Sequence, residues 1–513
     1  VDLICYKPAR SAPALDCSAV PASPRALRKS RIVPSPPSPI IPLSPGCDGA
    51  STSDSAGPPA SGDSAPGITA QDSPADVEEI EAVESRNIFA LVLYSVVFRF
   101  AWIFKTESVI IPRFLDVIDG SSFTRGWLPV LNRVGQSVPP LVLADRLRRR
   151  PFKKLSLQKT TAVMGLLMLA LAGLWLAVGE PVGGGNPLWI VATVLTLYVT
   201  FFAANGMNQL ALGTLHGKLV RADRRGRLMA RSGIFGSILA IVVAWFLLQK
   251  WLEPPLKFPD SGFVLIFGFA GLGFLVASLF GLLLKEQADP QDDSAPQPIL
   301  AAFVESWQVY RADRSFRRTA RVAMLFMTLQ LLFPHFQALA RECWGEAQVS
   351  GFHLMLWVIV QNAAVGLFSG MSGFIADRRG NRLAIRVQAF LAVLTPLLAL
   401  ILTRLDPATG LKWYWLVFLF LGLVPVTMKS FVNYSLELAD THRHPRYVST
   451  MSLCFAVPFV LSPVVGWLID VFAFEPVFAG MSGVIAVGGL MTFWMPEPRH
   501  RRASEGTESC ASR

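Results

Sequence analysis

The sequence predicts an all-α membrane protein with twelve transmembrane helices, and three observations carry that expectation. Hydrophobic residues make up 52% of the chain and charged residues 16%, with a positive mean hydropathy, which is the composition of a chain immersed in lipid. Twelve apolar stretches recur, each near the ~20 residues that a helix needs to cross the hydrocarbon core. The connections between them alternate between rich and poor in Lys and Arg.

Residues 1–84 are rich in Pro, Ser, Ala and Gly and poor in aromatics. Such a segment cannot bury enough apolar surface to offset its ordering entropy, so a disordered N-terminal tail is expected. Residues 76–86 are acidic and read as a short helical lead-in. The spans then follow at 87–111, 126–143, 157–178, 188–212, 228–248 and 262–284, and these form the first half. A linker over 285–318 comes next. Its first part is polar, and from 299 to 316 it carries Ile299, Phe303, Trp307 and Tyr310 at helical spacing, the pattern of an amphipathic helix on a membrane surface. The second half, 319–496, holds spans at 319–339, 350–375, 383–402, 411–432, 448–471 and 476–494, and a tail runs over 497–513.

The chain carries 47 Lys and Arg against 36 Asp and Glu, and the placement of the surplus decides what it means. The 2–3 connection holds Arg146, Arg148, Arg149, Arg150, Lys153 and Lys154. The 4–5 connection holds Lys218, Arg221, Arg224, Arg225 and Arg227, and the 8–9 connection holds Arg378, Arg379, Arg382 and Arg386. Arg443, Arg446, Arg499, Arg501 and Arg502 add to the same side, whereas the 3–4 and 11–12 connections carry none. The positive-inside rule therefore puts the even-numbered connections and both termini in the cytoplasm of a cell-membrane protein. Basic loops of this kind account for the charge without nucleic acid, for which no aromatic-basic platform is visible. The six cysteines are scattered with no CxxC, so neither a disulfide framework nor a metal site is expected.

Two connections share a motif. The second copy reads G-F-I-A-D-R-R-G-N-R over 373–382, and a degraded copy, L-V-L-A-D-R-L-R-R-R, occupies 141–150. The pair resembles the loop signature of the major facilitator superfamily, G-x-x-x-D-R-x-G-R-R. The resemblance implies two pseudo-symmetric six-helix bundles and transport by alternating access. It also implies conformational gating through Asp145, Arg146, Gly373, Asp377, Arg378, Gly380 and Arg382. In that scheme Asp145 approaches the start of span 11, near Ser449 and Thr450, and Asp377 approaches the start of span 5, near Leu228. Arg146 and Arg378 stay with the loop and the lipid headgroups. Leu141 and Arg148 replace the two glycines of the signature in the first copy, which puts close packing and a tight turn there in question. Span 5 lacks the Gly-Pro pair that resembles drug–proton antiporters.

Ionisable and polar side chains at membrane depth are costly and usually face a cavity. Arg99, Arg133, Asn205, Gln209, Gln330, Gln361, Asn362, Lys429 and Asn433 are the candidate solute-binding residues. By the resemblance, spans 1, 4, 7 and 10 line the central cavity. The deep charges are mostly cationic, with Glu107 as the main counter-charge, which suggests a cavity for an anionic or strongly polar organic solute. The alternative pairs Arg99 with Glu107 inside the protein and lets Lys429 reach the interface. Glu107 and His335 are the groups that could carry a coupling proton, with sodium coupling or facilitated diffusion also open.

No nucleotide-binding Gly-rich loop, metal-spaced His or Cys set, or G-x-S-x-G motif occurs, so neither an enzyme nor a cofactor is expected. The expected partners are a small solute, the bilayer and a coupling ion, with the chain acting as a monomer. The rival reading keeps the fold without transport, as an assembly factor, chaperone or sensor.

Overall fold

Among the described residues of this computed structural model (74–178, 188–253, 262–289, 299–440 and 443–497) the chain forms helices and no strand. The rest of the N-terminal tail, the 3–4 connection at 180–187, Lys257, residues 290–298 of the linker and the basic C-terminal tail lie outside that set, as do Cys5, Cys17, Cys47 and Cys510.

The first bundle runs through α1 (Pro74–Ile103), α2 (Ile110–Ile118), α3 (Ser122–Arg148), α4 (Lys154–Val178), α5 (Leu188–Leu219), α6 (Ala222–Leu252) and α7 (Gly262–Phe280). After the linker helix α8 (Ile299–Ala312), the second bundle is built from α9 (Arg314–Met327), α10 (Phe336–Trp344), α11 (Gly351–Arg379), α12 (Asn381–Thr403), α13 (Pro407–Trp413), α14 (Trp415–Leu421), α15 (Val424–Leu438), α16 (His444–Ala456), α17 (Ser462–Phe472) and α18 (Phe474–Met491). End to end these make twelve rods, and eleven are long and apolar enough to cross a membrane. The twelfth, α3, has the length but carries Arg125, Asn132, Arg133 and Gln136, with Pro129, Pro139 and Pro140 inside it. The fold is that of two six-helix bundles. Each has an aromatic core: Phe114, Trp175, Phe263 and Phe267 in the first, and Trp357 stacked on Phe418 at 4.8 Å beside Tyr414 in the second.

Several rods are broken, which the apolar runs did not foretell. Span 1 was expected to continue to 111, but α1 stops at Ile103, where the Thr106 hydroxyl donates to the Ile103 carbonyl (2.8 Å) and the chain turns. Rod 7 loosens into a 3-10 stretch over Thr328–His335 that contains Pro334, and rod 11 into one over Val457–Leu461 that contains Pro458. Proline removes an amide donor, so the helix cannot continue unbroken through it. The expected amphipathic helix over 299–316 is likewise two helices. The Asp313 carboxylate accepts from the backbone of Ser315 (2.7 Å) and Phe316 (3.0 Å), capping α9, and takes the Tyr447 hydroxyl (2.8 Å) on its other oxygen.

One end of the molecule carries the two signature loops and is called here the signature end; the other is the far end. The two loops turn differently. Gly380 joins α11 to α12 alone, at φ +87°, a conformation that costs a side chain dearly. The first copy has Arg148 at that place, still helical, and needs 149–153 to reverse. The Lys153 ammonium closes that longer turn by donating to the carbonyls of Arg148 and Arg150, both at 2.6 Å.

Acidic residues then bind the signature end of the first bundle. Glu286 accepts from the backbone of Lys153 and Lys154, each at 2.8 Å, and pairs with Lys218 at 3.0 Å. Asp289 pairs with Lys218 (2.5 Å) and Lys153 (3.0 Å). Partial burial works against the Asp289 charge, but the two ammonium groups outweigh it and hold the carboxyl below its ordinary value. A lowered folded value means stabilisation at neutral pH that is lost as the pH falls through that value. The melting temperature of the purified chain is expected to drop on acidification into the carboxylate range, with Asp289→Asn flattening part of that slope. The lead-in is strapped down in the same way. Residues 76–86 are helical as expected, continuous with the rest of α1, and Glu84 accepts from the Arg221 backbone (3.0 Å) and pairs with Arg221 (2.8 Å) and Arg224 (3.1 Å).

Candidate functional site

The break between α1 and α2 is buried, and a polar chain starts there. Lys105 is 1% exposed. A buried ammonium needs a counter-charge, and its Nζ lies 2.7 Å from Glu107 Oε1. It also sits 3.3 Å from the ring centre of Trp102 and 4.1 Å from that of Phe202, where aromatic faces attract it further. The second Glu107 oxygen accepts from the Asn132 amide of α3, and Asn132 Oδ1 accepts from Gln136 (2.6 Å). One residue on, the Ser108 hydroxyl donates to Gln361 Oε1 of α11, crossing from one bundle to the other.

Arg133 follows Asn132 and turns the other way. Its guanidinium lies over Phe459 (5.5 Å) and Phe455 (5.7 Å) of rod 11, again across the seam, and its Nε has no hydrogen-bond partner. The seam is thus crossed at two places, by Ser108 to Gln361 of α11 and by Arg133 to the rings of rod 11.

The other candidates are dispersed. The expected alternative pairing of Arg99 with Glu107 does not occur: Glu107 is taken by Lys105 and Asn132. The Arg99 stem lies instead against Gly236 of α6. Asn205 and Gln209 share a helix face by spacing, yet Asn205 is buried with Oδ1 unsatisfied while Gln209 is exposed. Gln330 lies on the 3-10 stretch of rod 7 with a buried, unpartnered Oε1. Asn362 donates to the Val358 carbonyl of its own helix (2.8 Å). Lys429 and Asn433 are both exposed on α15. His335 has no exposed surface, neither ring nitrogen has a hydrogen-bond partner, and its ring meets Phe474 at 6.5 Å.

Asn208 was missed. It lies one residue before Gln209 and donates to Thr161 (2.6 Å) and to the Tyr94 hydroxyl (2.9 Å), a buried knot joining α1, α4 and α5. Its sequence signal was the same as that of its neighbours, one amide in an apolar run.

Of the signature residues, Arg146, Gly373, Asp377 and Arg378 are exposed, and the Arg378 guanidinium lies 4.1 Å from the Phe374 ring centre. The Asp145 side chain is outside the described set. A Cβ on Gly373 would meet open space. Arg382 donates to the Met495 carbonyl (3.0 Å), tying the start of rod 9 to the end of rod 12. The Ser449 and Thr450 hydroxyls, expected opposite Asp145, donate to the Arg446 carbonyl of their own helix at 2.9 and 2.7 Å. Leu228, expected opposite Asp377, is buried in the first bundle's core.

The far end is where the bundles are laced together. The buried Asp116 carboxylate of α2 takes Arg125 of α3, Arg341 of α10 (2.6 Å) and the Gln337 amide (2.6 Å). Arg113 pairs with Glu346 at 3.1 Å, and Glu346 also takes Arg341. Asp470 of α17 accepts from the backbone of Ser122 (2.9 Å) and Phe123 (2.8 Å), capping α3, and the Ser462 hydroxyl donates to the Gly126 carbonyl.

No family model matches the chain, and no curated protein matches its sequence. Solved structures do. The nucleoside transporter NupG superposes with a TM-score of 0.59 at 12% identity, covering 80% of this chain and 98% of that one. The D-xylose–proton symporter gives 0.56 at 13%, covering 80% and 99%. A bacterial homologue of the human lysosomal transporter Spinster, in an inward-facing and occupied conformation, gives 0.55 at 12%, covering 80% and 97%. At these identities the likeness establishes the fold, and the chain has the fold of the major facilitator superfamily.

Proposed function

We propose that this chain is a secondary transporter that carries a small polar, anionic organic solute across the cell membrane by alternating access. The observation that carries the reading is the polar chain from Lys105 through Glu107 to Asn132 and Gln136, set in a helix break at the seam between the bundles. Transporters with paired bundles bind near the bilayer midplane at broken helices, where freed polar groups replace water around the solute. The named transport activities of the matched structures agree with it.

The basic connections assign the signature end to the cytoplasm. With that orientation the laced far end faces outwards, which supports reading this as the form shut towards the outside. Release of those ties, with closure at the signature loops, would complete the cycle. Glu107 is the better placed of the two candidates for a coupling proton, because it is partly exposed beside the seam while His335 is enclosed.

The test is uptake into proteoliposomes with and without an imposed pH gradient, using anionic and neutral solutes. The anionic solutes are expected to enter roughly tenfold faster than the neutral ones, the ratio that a preference of about 1.4 kcal/mol supplies. Equal uptake of anionic and neutral solutes would remove the anionic reading.

A further inference from the structure

We propose that Arg133 is the residue that grips the solute's carboxylate or phosphate, with Phe455 and Phe459 of rod 11 holding its guanidinium at the seam. This deepens the transporter reading and rests on it. Four cations belong to the deep parts of the bundles, and three are otherwise engaged or placed. Lys105 is neutralised by Glu107 at 2.7 Å. The Arg99 stem lies against Gly236 of α6, within the first bundle. Lys429 is exposed on α15. Arg133 alone reaches from one bundle onto the rings of the other, at 5.5 and 5.7 Å from their centres.

The aromatic faces supply attraction to the charge but accept no strong hydrogen bond, so they leave a fork of five N–H donors to be satisfied. Arg133 has no ion-pair partner among the described residues, and its Nε is buried without an acceptor. An uncompensated cation at membrane depth is expensive to keep unless something charged arrives to meet it. A guanidinium matches the two oxygens of a carboxylate or phosphate as a planar pair, which an ammonium cannot do. Phe455 lies in the last turn of α16, and Phe459 in the 3-10 stretch of rod 11. The rings therefore belong to a broken segment, on the bundle that moves relative to Arg133 during rocking. The same contact that orients the guanidinium in this state is remade or lost as the seam shifts.

The experiment uses the full chain in proteoliposomes, with labelled lactate, succinate and inorganic phosphate as anions and xylose as the neutral control. Wild type is expected to move at least one anion in preference to xylose. Arg133→Gln should raise KM for that anion roughly tenfold to a hundredfold, the span expected for a lost charge-assisted hydrogen bond, with a smaller change in turnover at saturation. Arg133→Lys should recover only part of the loss, because it restores the charge without the fork, and Phe455→Leu with Phe459→Leu should raise KM by a lesser factor. Preference for xylose with KM unmoved by Arg133→Gln would overturn the assignment and leave the transporter reading standing. Movement of no solute by wild type would sink both. If both Arg133 variants lower the melting temperature and turnover together at unchanged KM, Arg133 is a strut between rods 2 and 11 and the proposal falls.

Discussion

Asp116→Asn is expected to unlace the far end and to cost the protein roughly 3–5 kcal/mol of stability, the range for removing one partner of a buried ion pair. The size follows from burial. The Asp116 side chain is 3% exposed, and those of its partners Arg125 and Arg341 are 6% and 11% exposed. An asparagine there still accepts hydrogen bonds, but two guanidinium groups lose their counter-charge in a place water hardly reaches. Arg125 belongs to the same bundle as Asp116 and Arg341 to the other, so the loss is felt within the first bundle and across the seam. Glu346 supplies the control. It contacts Arg113 and Arg341 in the same cluster, yet it is 65% exposed, and an exposed pair contributes about 1 kcal/mol or less. Asp116→Asn should therefore lower the melting temperature well beyond Glu346→Gln. It should also speed labelling of a cysteine introduced by Ser121→Cys, because the far end opens more often. Equal behaviour of the two variants would show that burial does not set the strength of this cluster.

The features legible in the sequence were those fixed by composition and local chemistry. Apolar runs located the rods to within a few residues at most ends, because lipid permits little besides helix. The glycine at 380 announced a one-residue reversal, and the arginine at 148 announced its failure in the first copy. The illegible features were those decided by a partner far along the chain. Nothing in the run from 87 to 111 told that the Thr106 hydroxyl would take the Ile103 carbonyl and end the helix early. An amide at 205, 208 or 209 reads the same in a hydropathy profile. Only the packing of α1, α4 and α5 makes Asn208 the knot, leaving Asn205 buried with its Oδ1 unsatisfied and Gln209 exposed. Glu107 had several cations in reach on paper, and Lys105, two residues away across the turn, took it. The aromatic partners of Arg133 lie more than three hundred positions later, beyond any local pattern. The weak hydropathy of α3 comes from polar residues that have partners inside the protein: Arg125 is taken by Asp116, Asn132 by Glu107 and Gln136 by Asn132.

Gly466→Leu is expected to abolish transport, lowering it roughly a hundredfold, by forbidding the state seen here. At that point α17 lies against the first turn of α3. A Cβ on Gly466 would fall 2.9 Å from the carbonyl carbon of Ser122 and 3.0 Å from Phe123 Cα, and one on Gly126 would fall 2.8 Å from the Ser462 oxygen. These are backbone atoms, which cannot swing aside as a flexible side chain does, so the two helices must part. Small residues are what let helices approach this closely in lipid. The approach carries a second interaction with it, because Asp470, one turn beyond Gly466, reaches the Ser122 and Phe123 amides only when α17 is this near. A leucine thus adds overlap and removes the cap of α3 together. Overpacking of about 3 kcal/mol is enough to turn the tied form into a minor one, since 1.4 kcal/mol is a factor of ten. Asp470→Asn keeps the spacing and an acceptor, and should cost only severalfold, in line with an N-terminal charge worth about 1 kcal/mol or less. Gly480 is the matched control, because a Cβ there meets open space, so Gly480→Leu should leave uptake near wild type. Uptake by Gly466→Leu equal to that of Gly480→Leu would mean that closure of the far end is not a step the transporter must pass through.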